Sequence, residues 1–307
     1  MDTHRLPHRI QVVFHHPERV KQPVTLAEKV KTTAPSNLAA AFDELERLIG
    51  LTEAKKMMYE IHALIRINKE REKHQLKLEK QVYHMVFKGN PGTGKTTVAR
   101  LFGKIFKEMG ILSKGHLIEV ERADLVGEFI GHTAQKTRDL IKKAMGGILF
   151  IDEAYSLARG GEKDFGKEAI DCLTKALEDH GNEFICILAG YNDEMESFLE
   201  LNPGLPSRFP IQLQFADYTV DELVKIADQI VQGKEYQLSS GAREKLRNHL
   251  TRLRNDPFLM NFSNARYVRN VLEKAIRLQA VRLLAVQDLS RDDLITLQPE
   301  DFVWPQP

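Results

Sequence analysis

The plainest chemistry in this chain lies in Gly89-Asn90-Pro91-Gly92-Thr93-Gly94-Lys95-Thr96, which fits the spacing G-x-x-x-x-G-K-[ST]. Glycines let a backbone curl tightly enough to aim several N–H groups at one point, and a helix N-terminus behind them favours negative charge. Such a loop cradles a chain of phosphates. Lys95 then reaches the β and γ phosphates, and the Thr96 hydroxyl is offered to Mg²⁺, which takes oxygen ligands. The flanks agree: residues 82–87 alternate and branch like a strand and Thr97 opens a helical stretch, so the motif sits at a strand-to-helix turn.

A second set of chemical residues follows in Gly147-Ile148-Leu149-Phe150-Ile151-Asp152-Glu153. The apolar run is too brief for a helix and ends in two acids, the pattern of a buried central strand that delivers carboxylates at its C-terminal end, where an α/β sheet binds ligands. Asp152 suits Mg²⁺ held through water, and Glu153 suits orienting or deprotonating an attacking water. An Asp-Glu pair after an apolar run means little alone. Behind the glycine loop, with a strand and a helix between, it gains force because both motifs need neighbouring strands of one sheet.

The remaining pattern supplies that sheet. Residues 116–120, 184–189 and 211–215 read as further strands, separated by amphipathic helices over 164–179 and 192–201, with Thr133 as the expected N-cap of another. Strands alternating with helices over 82–215 specify an α/β fold with a doubly wound parallel sheet. Upstream, one helix runs from Ser36 to a stop at Gly50, and a second starts after Thr52 and runs into a charged, solvated face over 66–73. Beyond Asp217 the strand signals stop: Thr219-Val-Asp-Glu222 is a capping box, and helices are expected over 240–253 and 264–285, with 295–302 folding back. Residues 36–216 are thus expected to be the α/β core and 217–307 a small all-helical domain. Residues 1–35 read as an extension outside the core, and its histidines (His4, His8, His15, His16) as a solvated tail, since no carboxylate or cysteine joins them at metal-ligand spacing.

Composition narrows the class. A chain of 307 residues with 42% hydrophobic side chains can fill one large core and one small one. Lysine plus arginine, 44, balances aspartate plus glutamate, 43, so no global charge advertises nucleic acid or an acidic membrane surface. Cys172 and Cys186 lack ligand spacing and read as reduced thiols. With no apolar leader and no run near the roughly 18 apolar residues of a membrane span, the expectation is a cytoplasmic protein without a membrane span.

Three longer phrases, Asp152-Glu-Ala-Tyr-Ser-Leu157, Ala189-Gly-Tyr-Asn-Asp-Glu-Met195 and Asn202-Pro-Gly-Leu-Pro-Ser-Arg-Phe209, resemble the CbxX/CfqX family of AAA+ ATPases. With the glycine loop and helical end in this order, the resemblance covers residues 36–303, and the likeness is greatest to members from spore-forming bacilli. It implies an ATP- and Mg²⁺-dependent hydrolase, a homo-oligomeric ring of six with ATP at each subunit boundary, force exerted on a protein partner, and a role in sporulation. Residues Gly89 to Thr97 would hold the nucleotide. Arg208 matches the arginine finger that reaches a neighbouring subunit's γ-phosphate, and Arg266 matches the lid arginine called sensor 2. Ser263 stands where that motif usually has glycine, and Arg269 lies one turn on.

Ile49-Gly50-Leu51 matches the loop that contacts adenine through its backbone, and equally reads as a helix stop. Phe129-Ile130-Gly131 matches a pore loop that grips polypeptide, with a buried pair in an ordinary loop as the other reading. At the sensor 1 position, commonly Asn or Thr, this chain offers Tyr191 or Asn192. The same motifs serve nucleic-acid ATPases of the clamp-loader or initiator type, against which the balanced charge and the lack of a basic appendage argue. They also serve ATP-state switches that use hydrolysis as a timer.

Overall fold

The computed structural model describes residues 35–78, 81–129, 131–159, 164–256 and 262–304. All but Pro35 of the extension expected over residues 1–35, and the pore-loop residue Ile130, lie outside the described residues. Helices α1 (Ser36–Arg47) and α2 (Thr52–Lys73) come first. Strands and helices then alternate: β1 (Met85–Gly89), α3 (Lys95–Glu108), β2 (Leu117–Val120), the short α4 (Arg122–Leu125), α5 (His132–Ala144), β3 (Ile148–Ile151), α6 (Gly166–His180), β4 (Ile185–Gly190), α7 (Asn192–Leu201) and β5 (Ile211–Phe215). The five strands form one parallel sheet in the order β2-β3-β4-β1-β5.

The apolar runs follow from burial on both faces. Residues of β3 and β4 are buried throughout. Met85 and Phe87, Ile148 and Phe150, and Ile185 and Ile187 face one core with α1, α2 and α3; Val86, Leu149, Ile151, Cys186 and Leu188 face the other with α5, α6 and α7. A period of two therefore persists, but both of its phases are apolar, as a sheet covered by helices on each side requires. Edge strand β5 keeps the half-exposed alternation, with Leu213 and Phe215 inward and Gln212 and Gln214 outward.

A third core belongs to the C-terminal part. Helices α8 (Val220–Gln232), α9 (Ser240–Arg254) and α10 (Asn264–Leu283) pack around Leu223, Leu246, Val268 and Leu272. The capping box forms: Glu222 N–H donates to Thr219 Oγ1 at 3.2 Å, and Thr219 N–H to Glu222 Oε2 at 2.8 Å. The chain does fold back at its end, placing Leu297 and Phe302 in this core.

Four details depart from the sequence reading. First, β1 begins at Met85 because the ring of His84, not its backbone, meets the sheet: Nδ1 accepts from Cys186 N–H at 3.1 Å. Second, α1 ends at Arg47, and Gly50 and Leu51 follow as consecutive left-handed residues at φ 64° and 58°. Third, Thr133 is inside α5, whose N-cap is Gly131; its hydroxyl accepts from Gly127 N–H at 2.9 Å and closes the preceding loop. Fourth, the small domain is not all helix, since β6 (Gln237–Leu238) pairs in parallel with β7 (Thr296–Leu297), after the short α11 (Arg291–Ile295). Two residues are too few to display a strand period.

Gly103, in mid-helix, sets how closely α3 approaches the segment before β2. A Cβ there would stand 2.5 Å from the Gly115 carbonyl oxygen, and one on Gly115 would stand 2.5 Å from that of Gly103. Gly103→Ala should therefore destabilise the fold by about 1–3 kcal/mol, although alanine in a free helix gains about 1 kcal/mol over glycine. The midpoint of urea unfolding checks this; an unchanged or raised midpoint would show that the backbone contact is not binding.

Candidate active site

All five strands run the same way, so their C-terminal ends share one edge, and four of the five segments that leave it build the site. They carry the glycine loop after β1, Asp152-Glu153 after β3, Tyr191 after β4 and Asp217 after β5. The first ends at Gly94, the N-cap of α3, at φ 98°. Fully buried Thr93 pins the loop by donating from its hydroxyl to the Asn90 carbonyl at 2.8 Å. Lys95 Nζ donates to the carbonyls of Gly89 and Asn90 at 2.7 and 3.0 Å. Burial pushes the Lys95 ammonium below its usual range, while the carboxylates of Asp152 and Glu153 resist that shift and Arg266 adds to it.

Asp152 continues the sheet through its N–H, bonded to the Val120 carbonyl at 2.9 Å, and its Oδ1 accepts from Glu153 N–H at 3.0 Å. Glu153 is exposed and left-handed, φ 46° and ψ 44°. That conformation costs a non-glycine residue about 1–2 kcal/mol. It is held by the 3-10 turn Ala154–Ala158, which buries Ala154, Tyr155 and Leu157. Burial, with Glu153 adding to it, pushes the Tyr155 hydroxyl up to about 12. Arg122 braces the same turn, donating to the Ser156 carbonyl at 2.7 Å and to both oxygens of Asp164 at 2.6 and 2.7 Å. The hydrogen bond from Arg122 holds the Asp164 carboxyl below its ordinary range.

Lys95, Thr96, Thr97, Asp152 and Glu153 line a cleft of about 370 Å³ together with Pro91, Gly92, Gly94, Tyr191 and Arg266. Its other end is apolar, with Leu48, Ile49 and Leu51 before the sheet facing Ile226 and Ile230 on α8. A cationic end at a helix N-terminus joined to an apolar end matches a phosphate chain joined to a flat base. Arg269 also reaches the cleft. Gly50 supports it from behind, where a Cβ would meet Glu222 Oε1 at 2.7 Å. The side chain of Asn90 turns away from the cleft, donating to Asp217 at 3.0 Å.

Other expected residues lie apart. Tyr191 lines the cleft, whereas Asn192 starts α7 and its Oδ1 accepts from Gln214 Nε2 at 2.8 Å. Arg208 does not line its own chain's cleft: it is ion-paired with Glu178 and bonded to the Gly204 carbonyl, with Nε buried and without a partner among the described residues. Phe129 is 64% exposed, so it is no buried loop pair, and its ring meets the edge of His132 at 5.4 Å. Sequence reasoning missed Tyr218, which lines the cleft and donates to the Thr93 carbonyl at 3.0 Å, and the Arg122–Asp164 brace. Adjacency to the capping box was the one signal for Tyr218.

With this geometry in hand, the kinship of the chain is informative. Residues 85–217 match the ATPase family associated with various cellular activities (AAA), and residues 219–307 match the AAA lid domain. Stage V sporulation protein K of Bacillus subtilis (strain 168) is 60% identical over 84% of this chain and 80% of that protein. The chloroplastic ribulose bisphosphate carboxylase/oxygenase activase of Cyanidioschyzon merolae is 42% identical over 92% of this chain and 96% of that protein. Chromosomal protein CbxX of Cupriavidus necator is 42% identical over 92% and 88%. Among solved structures, the FIGL-1 AAA domain in complex with ADP shares the fold, with a TM-score of 0.56 at 19% identity, over 83% of this chain and 80% of that one. The phosphate loop, the acidic strand end and the lid thus coincide with these matches, and the chain belongs to the AAA ATPases, in the family of the CbxX proteins and stage V sporulation protein K.

Proposed function

We propose that this ATPase assembles into a homo-oligomeric ring, six-membered, and turns ATP hydrolysis into force on a protein partner during sporulation. The observation that carries the reading is the convergence of Lys95, Asp152, Glu153 and Arg266, from three separate segments, on one cleft of about 370 Å³. Kinship supports the rest: 60% identity to a sporulation protein bears on the process, and 42% identity to an activase of another enzyme bears on a protein partner. Residues 36–216 act as the ATPase core and 217–307 as a lid, in the cytoplasm; no helix among the described residues is long and apolar enough to cross a membrane.

Each residue then has a task. Lys95 exchanges its two carbonyl acceptors for β and γ phosphate oxygens, a trade of similar hydrogen bonds that gains charge attraction. Thr96 and Asp152, both in the cleft, are an oxygen pair fit to hold Mg²⁺, directly or through water. Bound with the nucleotide, Mg²⁺ supplies charge neutralisation at the phosphate oxygens. Glu153 orients the attacking water and takes up its proton. Tyr191, rather than Asn192, serves as sensor 1, and Arg266 touches the phosphates from the lid. Ile49 and the backbone beside Gly50 hold the adenine. Arg208 reaches a neighbouring subunit once its pairing with Glu178 opens. Phe129 and Gly131, on either side of Ile130, belong to the loop that grips the partner.

Lys95→Ala should abolish binding of fluorescent ATP, whereas Glu153→Gln should bind ATP and lose roughly 10²- to 10⁴-fold in turnover. Equal turnover in Glu153→Gln would sink the assignment of the water-orienting carboxylate. The trans role of Arg208 has its own test. Arg208→Ala and Lys95→Ala, each inactive alone, should recover ATPase when mixed, because an intact cleft of the first then meets an intact Arg208 of the second. No recovery at any mixing ratio would place Arg208 outside the neighbour's site. For the partner, Phe129→Ala should keep ATPase while a spore-forming strain carrying it makes as few mature spores as the deletion strain; normal spores from the deletion would remove the sporulation role.

A further inference from the structure

Asp217 stands two residues past β5, at the junction with the lid, and one of its carboxylate oxygens serves two amides. Oδ1 accepts from Asn90 Nδ2 of the glycine loop at 3.0 Å and from Asn264 Nδ2, in the first turn of α10, at 2.7 Å. Asn90 Nδ2 also lies 3.1 Å from Oδ2. Asn264 is fully buried and held left-handed at φ 45°. Its Oδ1 accepts from Tyr218 N–H at 3.0 Å, and its Nδ2 also donates to the Phe262 carbonyl at 3.0 Å.

The backbones of loop and lid touch beside this cluster. Ala265 N–H donates to the Gly92 carbonyl at 3.2 Å, and a Cβ on Gly92 would fall 2.2 Å from the Ser263 oxygen and 2.8 Å from the Arg266 nitrogen. Arg266 is two residues past Asn264, on the same helical turn. A shift of the loop therefore either drags that turn with it or parts half-buried Asn90 and buried Asn264 from the oxygen they share, which is unfavourable. An apolar contact would slide; a shared oxygen does not, because hydrogen bonds weaken steeply with distance and angle.

We propose that Asp217 is a positioning residue: its Oδ1 latches the phosphate-binding loop to the lid, so that nucleotide in the loop is felt at Arg266 through Asn90, Asp217 and Asn264. The latch rests on reading the cleft as the nucleotide site. Its action is mechanical and needs no change of charge, so Asp217→Asn, which keeps one oxygen able to accept from both amides, should behave as the unaltered chain. Asp217→Leu removes that oxygen at similar volume, and Asn90→Ala cuts the loop-side arm while leaving Asn264 paired.

Amide hydrogen exchange of the full chain, with and without ADP, reads both ends at once. In the unaltered chain and in Asp217→Asn, ADP should slow exchange at residues 95–98 and, by at least about fivefold, at 265–267. In Asp217→Leu and Asn90→Ala the slowing at 95–98 should persist and that at 265–267 should vanish. A merely structural Asp217 would speed exchange at 265–267 equally with and without ADP, leaving the ratio intact, and that outcome overturns the latch. Unchanged slowing at 265–267 in both variants overturns it too. Absence of slowing at 95–98 in the unaltered chain would sink the nucleotide site instead. In steady state, Asp217→Leu and Arg266→Ala should each lower turnover by about tenfold and together lower it no further; losses that multiply would show that Asp217 does not act through Arg266.

Discussion

Position 92 has no side chain, and the lid fills the space. The Ser263 oxygen would lie 2.2 Å from a Cβ there, and the backbone runs at φ 70°, so glycine is demanded both by conformation and by room. This single backbone contact decides the shape of the cleft. It brings the first turn of α10 against the loop that opens α3, and with it Arg266 and Arg269 come into the same cavity as Lys95. Beside it the lid meets the loop through Asp217 and Asn264, and the core through Tyr218 and the apolar face of α8.

Cations outnumber acids inside the cleft. Lys95, Arg266 and Arg269 share it with Asp152 and Glu153, and burial is the largest cause of the Lys95 ammonium's fall below its usual range. The N-terminus of α3 adds a partial positive charge that no side chain answers. An anion entering here meets oriented dipoles and the largely desolvated Lys95 ammonium, where interactions gain strength. The left-handed backbone at Glu153 belongs to the same arrangement. Strain of that kind persists only where surroundings enforce it, and here Arg122 and Asp164 brace the turn that follows.

What the sequence made legible is what depends on local spacing. Glycines at fixed intervals announced the strand-to-helix loop after β1, an apolar run ending in two acids announced β3 and its carboxylates, and Thr219 with Glu222 announced the start of α8. Each is a device completed within a few residues. The failures have a common cause in longer reach. His84 extends its ring to a strand 102 residues away and so delays β1. Thr133 looks like a cap but spends its hydroxyl on Gly127. Nothing local separates Tyr191 from Asn192, since only the turn of α7 decides which side chain enters the cleft. Asn90, Asp217 and Asn264 meet across separations of 127 and 47 residues, and no periodicity encodes such a meeting.

The two arginines singled out at the start are in opposite situations, and the difference bears on the functional unit. Arg266 is delivered to its own chain's cleft by a helix whose first turn is fixed to the glycine loop. Arg208 sits in a turn where Glu178 and the Gly204 carbonyl already occupy its guanidinium, and it does not line that cleft. On the proposed reading, this cation, held in place yet absent from its own cleft, serves at another chain's site. Its ion pair is solvent-exposed on the Glu178 side, where such pairs are weak. On that same proposed reading one chain would hold its nucleotide through Lys95 and Arg266 and complete hydrolysis beside a neighbour, which would make assembly and turnover two faces of one geometry.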